Sequence, residues 1–440
     1  MQPVKIGILG LGTVGCGTVT VLARNHEEIA RRAGREMRIV QASARDLKKK
    51  RPCATGDIQL VEDARTVVRN PEIEVIVELI GGIDPARALV LEAIEHGKHV
   101  VTANKALIAL HGNEIFAAAQ KKGVMVAFEA AVAGGIPIIK MLREGLTANR
   151  IEWLAGIING TSNFILTEMR VKGVDFADVL KEAQRLGYAE ADPRFDVEGV
   201  DAAHKLTILA AIAFGIPLQF NKVYVEGITK ITRMDVHYAE QLGYRLKLLG
   251  IARRAGGAVE LRVHPTLIPE RRLIANVEGA MNAVLVKGDA VGPTMFYGAG
   301  AGAEPTASAV VADLVDVVRT LTTDPNNRVP HLAFQPDALS DLRILPIEEI
   351  DTSYYLRLHA LDKPGVLADV TRILADMQIS IEAILQKEPH AGEDTVPVII
   401  LTQRVKEKNM NEAIARIEKL GSIKGRVARI RLEHLNPDWN

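Results

Sequence analysis

Short apolar runs alternate with amphipathic stretches over residues 1–130. The runs Val4–Leu9, Arg38–Ala42, Val75–Leu79, His99–Ala103 and Val124–Phe128 are bounded by Gly, Asn, Pro or charged residues, a pattern that predicts strands. Between them, Pro85–His96 and Asn113–Lys121 carry helical spacing and close on Gly97 and Gly123, which suit helix C-termini. Such alternation predicts an α/β fold with a doubly wound, Rossmann-type parallel sheet covered by helices on both faces.

The pattern changes after residue 136. Helix-like stretches at Ile136–Thr147, Phe176–Leu186 and Val200–Phe214 precede strand-like ones at Leu248–Arg253, Val259–Pro265 and Ala283–Lys287, predicting an α+β unit. Residues 322–350 are rich in Asp, Asn, Pro and Leu without periodicity and read as a linker, long enough to let a C-terminal unit move. Beyond it, strands at Tyr354–Ala360, Ser380–Gln386, Thr395–Thr402 and Arg426–Leu432 interleave with helices at Gly365–Met377 and Asn409–Leu420. The order βαββαβ is ferredoxin-like. The expected domains are therefore 1–135, 136–321, a linker at 322–352, and 353–433.

Composition narrows the function. At 440 residues, two to four domains are expected, and 48% hydrophobic residues can build their cores. Lys+Arg and Asp+Glu are both 54, so the basic footprint of a nucleic-acid binder is missing. With only Cys16 and Cys53, neither a disulfide framework nor a cysteine zinc site is expected. The first residues lack the pattern of a signal peptide. The longest uncharged run of interest, Leu206–Asn221, contains Thr207, Gly215 and Pro217 and is too short to span a membrane. A soluble, cytoplasmic protein with no membrane or nucleic-acid partner is expected.

The sharpest local signal is Gly10-Leu11-Gly12-Thr13-Val14-Gly15, between an apolar strand and a helical segment. In that setting Gly10 makes the tight turn, Gly12 lets the backbone approach a pyrophosphate, and Gly15 lets helix and strand pack closely. The second strand runs into Arg45-Asp46-Leu47-Lys48-Lys49-Lys50-Arg51. Arginine there accommodates the 2′-phosphate of NADP, whereas an acidic residue such as Asp46 favours NAD; a solvated charge run fits the same residues. NADP is preferred, with NAD open.

A second signal is acidic: Glu190, Asp192, Asp196, Glu198 and Asp201 lead to Lys205. Asp201 and Lys205 are neighbours on one helix face. A surface salt bridge is the bland reading, but Lys205 enters the apolar segment Leu206–Phe214, where desolvation lowers a lysine's pKa and suits proton transfer. Lys105 follows the apolar run Val100–Val101 at a strand's C-terminal end, where ligands bind in open α/β sheets, although an exposed lysine fits equally. Glu129, followed by Ala130-Ala131-Val132-Ala133-Gly134-Gly135-Ile136-Pro137, offers one carboxylate among accessible carbonyls, suited to a hard cation or simply to a tight turn.

Together these residues resemble homoserine dehydrogenase over nearly the whole chain. The resemblance rests on the 10–15 turn, Thr-Ala-Asn-Lys at 102–105, the 129–137 run, Gly-Ile-Ile-Asn-Gly-Thr-Ser-Asn-Phe-Ile-Leu at 156–166, Leu-Gly-Tyr-Ala-Glu-Ala-Asp-Pro at 186–193 with Asp201 and Lys205, and Gly-Ala-Gly-Ala-Gly at 298–302. Residues 354–432, with Leu361-Asp362-Lys363-Pro364-Gly365-Val366-Leu367, resemble an ACT domain, a small-molecule sensor.

The resemblance implies reversible, NAD(P)-dependent oxidation of L-homoserine to L-aspartate 4-semialdehyde, in threonine, methionine and isoleucine biosynthesis. It implies Lys205 as proton donor and acceptor, Lys105 assisting near cofactor and substrate, and Glu190, Asp201 and Asp196 at the substrate. It further implies the cofactor at Gly10, Gly12, Thr13, Val14, Gly15, Arg45, Lys105, Gly187 and Gly302. Glu129 with the carbonyls of Val132, Gly134 and Ile136 would hold sodium or potassium. An amino-acid effector, threonine foremost, is implied at the ACT domain, and a homodimer or homotetramer as the assembly. Two rivals fare worse. Aspartate-semialdehyde dehydrogenase needs a cysteine nucleophile, and neither Cys16 nor Cys53 is well placed. A non-enzymatic amino-acid sensor is opposed by intact Lys205, Glu190 and Asp201.

Overall fold

The structure, a computed structural model, describes residues 2–386 and 394–436; residues 387–393, inside the expected 353–433 unit, lie outside the described residues. Strands β1 (Val4–Leu9), β2 (Met37–Ser43), β3 (Gln59–Val61), β4 (Val75–Glu78), β5 (His99–Thr102) and β6 (Val126–Ala127) form one parallel sheet. Its order is β3-β2-β1-β4-β5-β6, so the strand order reverses beside β1 and leaves a crevice at the carboxyl ends of β1 and β4. Every residue of β4 and β5 is buried, as expected of parallel strands covered on both faces.

Helices α1 (Thr13–Arg24), α2 (His26–Ala33), α3 (Ala64–Arg69), α4 (Ala86–Glu95) and α5 (Lys105–Lys122) connect these strands. Short β3 and α3 escape the sequence pattern because both are half-exposed. Helix α5 starts well before the predicted Asn113. Gly112 interrupts its apolar spacing, and a Cβ there would come within 2.5 Å of a Leu218 methyl, so the helix packs closely at this point.

The middle of the chain holds α6 (Ile138–Lys140), prolonged by a π-helical turn at Met141–Gly145, then β7 (Ile151–Ile157), α7 (Gly160–Lys172), α8 (Phe176–Arg185), α9 (Arg194–Val197) and α10 (Val200–Phe214). Next come β8 (Tyr224–Val225), α11 (Arg233–Gln241), β9 (Tyr244–Ala255), β10 (Ala258–Pro269), β11 (Met281–Gly288), β12 (Gly292–Ala299) and α12 (Ala303–Thr320). The C-terminal part comprises β13 (Arg343–Ile344), β14 (Asp351–Leu361), α13 (Val366–Asp376), β15 (Ile381–Gln386), β16 (Thr395–Thr402), β17 (Val405–Lys406), α14 (Glu407–Ile417) and β18 (Ala428–Leu432), the expected βαββαβ order with two short added strands, β13 and β17.

The described residues form two compact units. The first contains the residues up to Gly160, with Val200–Val223 and Ala280–Leu342; the second contains Thr161–Gly199, Tyr224–Gly279 and the residues from Arg343 onward. In the first, α1 and α12 pack on the parallel sheet through Val19, Leu22, Val310, Leu314 and Val317, and β12, β11 and β7 pair antiparallel.

In the second unit, β14 turns Tyr354, Leu356 and Leu358 into a core with Val370 and Leu374 of α13 and Met410 of α14. Its opposite face meets α11, where Arg357 Nε lies 2.7 Å from Asp235 Oδ1. Strand β18 runs parallel to β10, pairing Arg431 with Thr266 and Leu432 with Leu267, and β13 pairs with the other end of β10. Buried Arg431 reaches Glu226 at 2.8 Å, and buried Arg262 reaches Glu433 at 2.7 Å. The segment expected to act as a free linker thus ends in a paired strand. The C-terminal unit it leads to is fastened to β10 by main-chain bonds and buried charge pairs, which revises the sequence expectation of a freely moving unit. Among the described residues, no helix is long and apolar enough to cross a membrane.

Candidate active site

Helix α1 begins at the glycine turn. Gly10 has φ +98°, and a Cβ there would stand 2.9 Å from the Leu79 carbonyl oxygen. Nothing lies within 4 Å of a Cβ built on Gly12, whereas one on Gly15 would strike the Gly10 carbonyl oxygen at 2.2 Å. The three glycines thus meet three separate demands: a left-handed turn, an open approach and a close helix–strand contact. No side chain caps α1 and no acid occupies its first turn, so its N–H groups and dipole are available to an anion. Thr13 and Val14 open this helix.

A cavity of about 1050 Å³ adjoins the turn, lined by Gly10, Gly12, Ser43, Arg45, Lys49 and Arg51 among others. Asp46, the acid that spoke for NAD, accepts the N–H groups of Lys48 (2.9 Å) and Lys49 (3.2 Å) and so shapes its own loop. The Arg51 guanidinium donates to the Lys49 carbonyl at 3.0 Å.

Helix α10 is buried along nearly its whole length, and Asp201 and Lys205 lie on one face near its start. Lys205 Nζ donates to Asp201 Oδ2 at 2.7 Å and to the Ile158 carbonyl at 2.8 Å. Lys105, the first residue of α5, reaches Asp201 Oδ1 at 2.9 Å. Asn159 Nδ2 donates to Asp201 Oδ2 at 2.8 Å. Burial alone would push the Asp201 carboxyl up, but the ammonium groups of Lys205 and Lys105 and the bonds from Lys205 and Asn159 hold it below the ordinary carboxylate range. Beside it, burial pushes His204 down to about 4, leaving a neutral ring 4.4 Å from that of Phe220.

Of the acidic residues, Glu190, Asp192, Asp196 and Glu198 belong to the second unit and Asp201 to the first. Gly187 follows α8 with φ +79°. Gln184 Nε2 holds the Glu190 carbonyl at 3.1 Å, and the Glu190 side chain stands exposed. The hydrogen bonds and charge of Arg194 draw Asp192 down to about 2, so that acid is taken. Asp196 is half-buried on α9, its carbonyl accepting Ser162 Oγ at 3.1 Å.

In the first unit, both Glu129 oxygens accept main-chain N–H groups from α6, Ile139 at 2.9 Å and Lys140 at 2.7 Å. Burial pushes Glu129 up to about 7, and burial together with the Glu129 charge holds Asp313 well above its usual range. Ala133 and Gly134 follow at positive φ, turning the chain between Val132 and Ile136. Each Glu129 oxygen retains a lone pair beyond its N–H bond, so the ionised carboxylate could hold a hard cation there. Among the described residues, no group of three or more His, Cys, Asp or Glu side chains gathers as a metal centre. Gly302, at φ +130°, precedes α12.

Family profiles agree with this geometry. One described as homoserine dehydrogenase, NAD binding domain, matches residues 10–129; one described as homoserine dehydrogenase matches 137–315; an ACT domain profile matches 354–421. A homoserine dehydrogenase of Pseudomonas aeruginosa is 67% identical over 436 residues, 99% of this chain and 100% of that one. The chain belongs to the homoserine dehydrogenase family. It is an oxidoreductase with a nicotinamide-cofactor domain and a C-terminal ACT domain. Among solved structures, that of the homoserine dehydrogenase from Thiobacillus denitrificans superposes with a TM-score of 0.95 at 70% identity, covering 99% of both chains. A hyperthermophilic archaeal homoserine dehydrogenase in complex with NADPH aligns with a TM-score of 0.62 at 26% identity, over 72% of this chain and 98% of that one.

Sequence reasoning anticipated the Asp201–Lys205 pair from its spacing and placed Lys105 at a strand end. It did not bring Lys105 onto Asp201, because that contact joins distant elements. It also passed over Asn159, although Asn159 stands in the 156–166 motif. Polar residues after an apolar strand were the available signal.

Proposed function

We propose that the chain catalyses the reversible oxidation of L-homoserine to L-aspartate 4-semialdehyde, with NADP preferred over NAD, in the route to threonine, methionine and isoleucine. The observation that carries the reading is the Lys105–Asp201–Lys205 centre, a buried carboxylate held between two ammonium groups. When bound, the nicotinamide cofactor supplies or accepts the hydride. Lys205 moves the proton of the substrate hydroxyl, and Asp201 holds its ammonium in place. Lys105 adds positive charge where the substrate oxygen becomes anionic. Asp201 binds homoserine; Glu190 and Asp196 have a negative charge suited to its ammonium group.

The Gly10–Gly15 turn holds the pyrophosphate, Arg45 the 2′-phosphate, and Gly187 and Gly302 approach the cofactor by their backbones. Glu129 and the carbonyls of Val132, Gly134 and Ile136 hold sodium or potassium. Threonine, as effector, sits in the cavity of about 180 Å³ at Asp362, Lys363 and Gly365, where the N-terminus of α13 meets a carboxylate. A cytoplasmic homodimer or homotetramer completes the reading. The test is absorbance at 340 nm with L-homoserine and NADP, with NAD in parallel. Growth of the NADP signal supports the reading, and silence with both cofactors refutes it.

A further inference from the structure

Glu78 ends β4 with its side chain fully buried, and neither fold nor reaction as described requires a charge there. Its Oε1 accepts the N–H groups of Ile80 at 2.8 Å and Gly81 at 3.2 Å. Its Oε2 accepts the Thr102 hydroxyl at 2.7 Å. That hydroxyl in turn accepts the Asn104 N–H at 3.0 Å. The Asn104 side chain spans what remains: Nδ2 donates to the Gly82 carbonyl at 2.6 Å, and Oδ1 caps α5 by accepting the Leu107 N–H at 3.1 Å. Leu79 and Ile80 line the cavity beside the glycine turn, and Lys105 is the first residue of α5. Burial raises the Glu78 carboxyl while these donors favour its charged form.

We propose that Glu78 is a positioning residue whose carboxylate ties the Ile80–Gly82 wall of that cavity to the capped start of α5, and thereby sets Lys105 on Asp201. The inference rests on the reading that Lys105 serves the reaction. Two of its donors are main-chain N–H groups that cannot turn away, and the third is the Thr102 hydroxyl, which accepts the Asn104 N–H on one of its two lone pairs. A carboxylate accepts from all three at once, whereas an amide has a single accepting oxygen and its NH2 group cannot take the Thr102 proton. Positional errors of about 1 Å remote from the chemistry lower rates by on the order of 10²-fold.

The test compares Glu78→Gln, Thr102→Val, their double variant, Thr102→Ser and Lys105→Ala in the full-length enzyme. Turnover, the dissociation constant of NADPH by fluorescence, and the thermal midpoint are measured for each. Glu78→Gln keeps an acceptor for the Ile80–Gly81 turn, and Thr102→Val keeps the shape. Each should lower kcat by about tenfold or more with NADPH affinity nearly unchanged. The double variant should lose little beyond either single change, as members of one network do. Thr102→Ser, which restores the hydroxyl, should recover most of the turnover. Intact turnover in Glu78→Gln and Thr102→Val, alongside a crippled Lys105→Ala, would overturn the inference and spare the reading. Intact turnover in Lys105→Ala would overturn both. Losses that add, or that follow weakened NADPH binding or a failed serine rescue, would reduce Glu78 to a structural part and overturn the proposal. Should Glu78→Gln not fold, Thr102→Val against Thr102→Ser decides alone.

Discussion

Lys105 Nζ stands 2.9 Å from Asp201 Oδ1, while Lys205 Nζ holds the other oxygen of the same carboxylate at 2.7 Å. Asp201 is almost wholly buried, and both ammonium groups reach its carboxylate. Ammonium groups beside a substrate oxygen that becomes negative as its proton leaves would stabilise it.

Asp201→Asn tests that arrangement directly. Lys205 would remain buried without its counter-charge, which costs roughly 3–5 kcal/mol where one partner of a buried pair is removed. Turnover should fall by on the order of 10²-fold or more. Urea unfolding and steady-state rates read the two effects, and an unchanged midpoint with unchanged kcat would contradict the arrangement.

Arg45→Ala should weaken NADP far more than NAD, since only NADP presents a 2′-phosphate for a charge-assisted bond. Titration of each cofactor into the variant measures this. Equal losses for both would place Arg45 outside the phosphate site.

Glu129 gives the protein a pH-dependent stability. Its folded pKa of about 7 lies above the ordinary 4.5, so the folded state keeps a proton that the unfolded chain has released. The contribution is fully present below about pH 4.5 and lost as pH rises through about 7, at up to roughly 1.4 kcal/mol per pH unit. Glu129→Gln should flatten the unfolding curve over this window. A bound sodium or potassium ion would favour the carboxylate, so adding either salt should also flatten it, more than lithium or tetramethylammonium at equal ionic strength. Equal effects of all four salts would count against a cation site.

Threonine should inhibit the intact enzyme with a coupling of about 1–3 kcal/mol, or 5–150-fold in affinity. Gly365 bounds the effector cavity at φ +93°, a conformation that costs an L-residue about 1–2 kcal/mol. Gly365→Ala should therefore raise the threonine concentration needed for half inhibition. Deleting the C-terminal unit is the poorer experiment, because it would strand Glu226 and Arg262 without Arg431 and Glu433. An enzyme indifferent to millimolar threonine, isoleucine, methionine and lysine would leave the unit with a structural role.

What could be read from the chain depended on how local each signal was. The glycine turn, the largely apolar strands β4 and β5 and the βαββαβ order of the last unit all rest on short-range spacing. Strand β7 was missed although Ile151–Ile157 is mostly apolar and Asn149 and Asn159-Gly160 punctuate its ends; β12 was missed because Gly292 and Pro293 open it. Asp201 and Lys205 share one helix turn and were legible. Lys105, Asn159 and Glu78 become meaningful only where separate elements meet, and no periodicity records that meeting. The charge pairs at Arg431 and Arg262 were hidden for the same reason, since a charged residue in a strand ordinarily signals an exposed face.

The central claim is that Lys205 carries the proton of the substrate hydroxyl. Lys205→Ala, assayed for L-homoserine oxidation with NADP while NADPH binding is followed by fluorescence, measures it most directly. The account predicts a loss in kcat of on the order of 10²–10⁴-fold with cofactor binding nearly intact, because the Gly10–Gly15 turn is a separate structure. A loss smaller than about tenfold would contradict it.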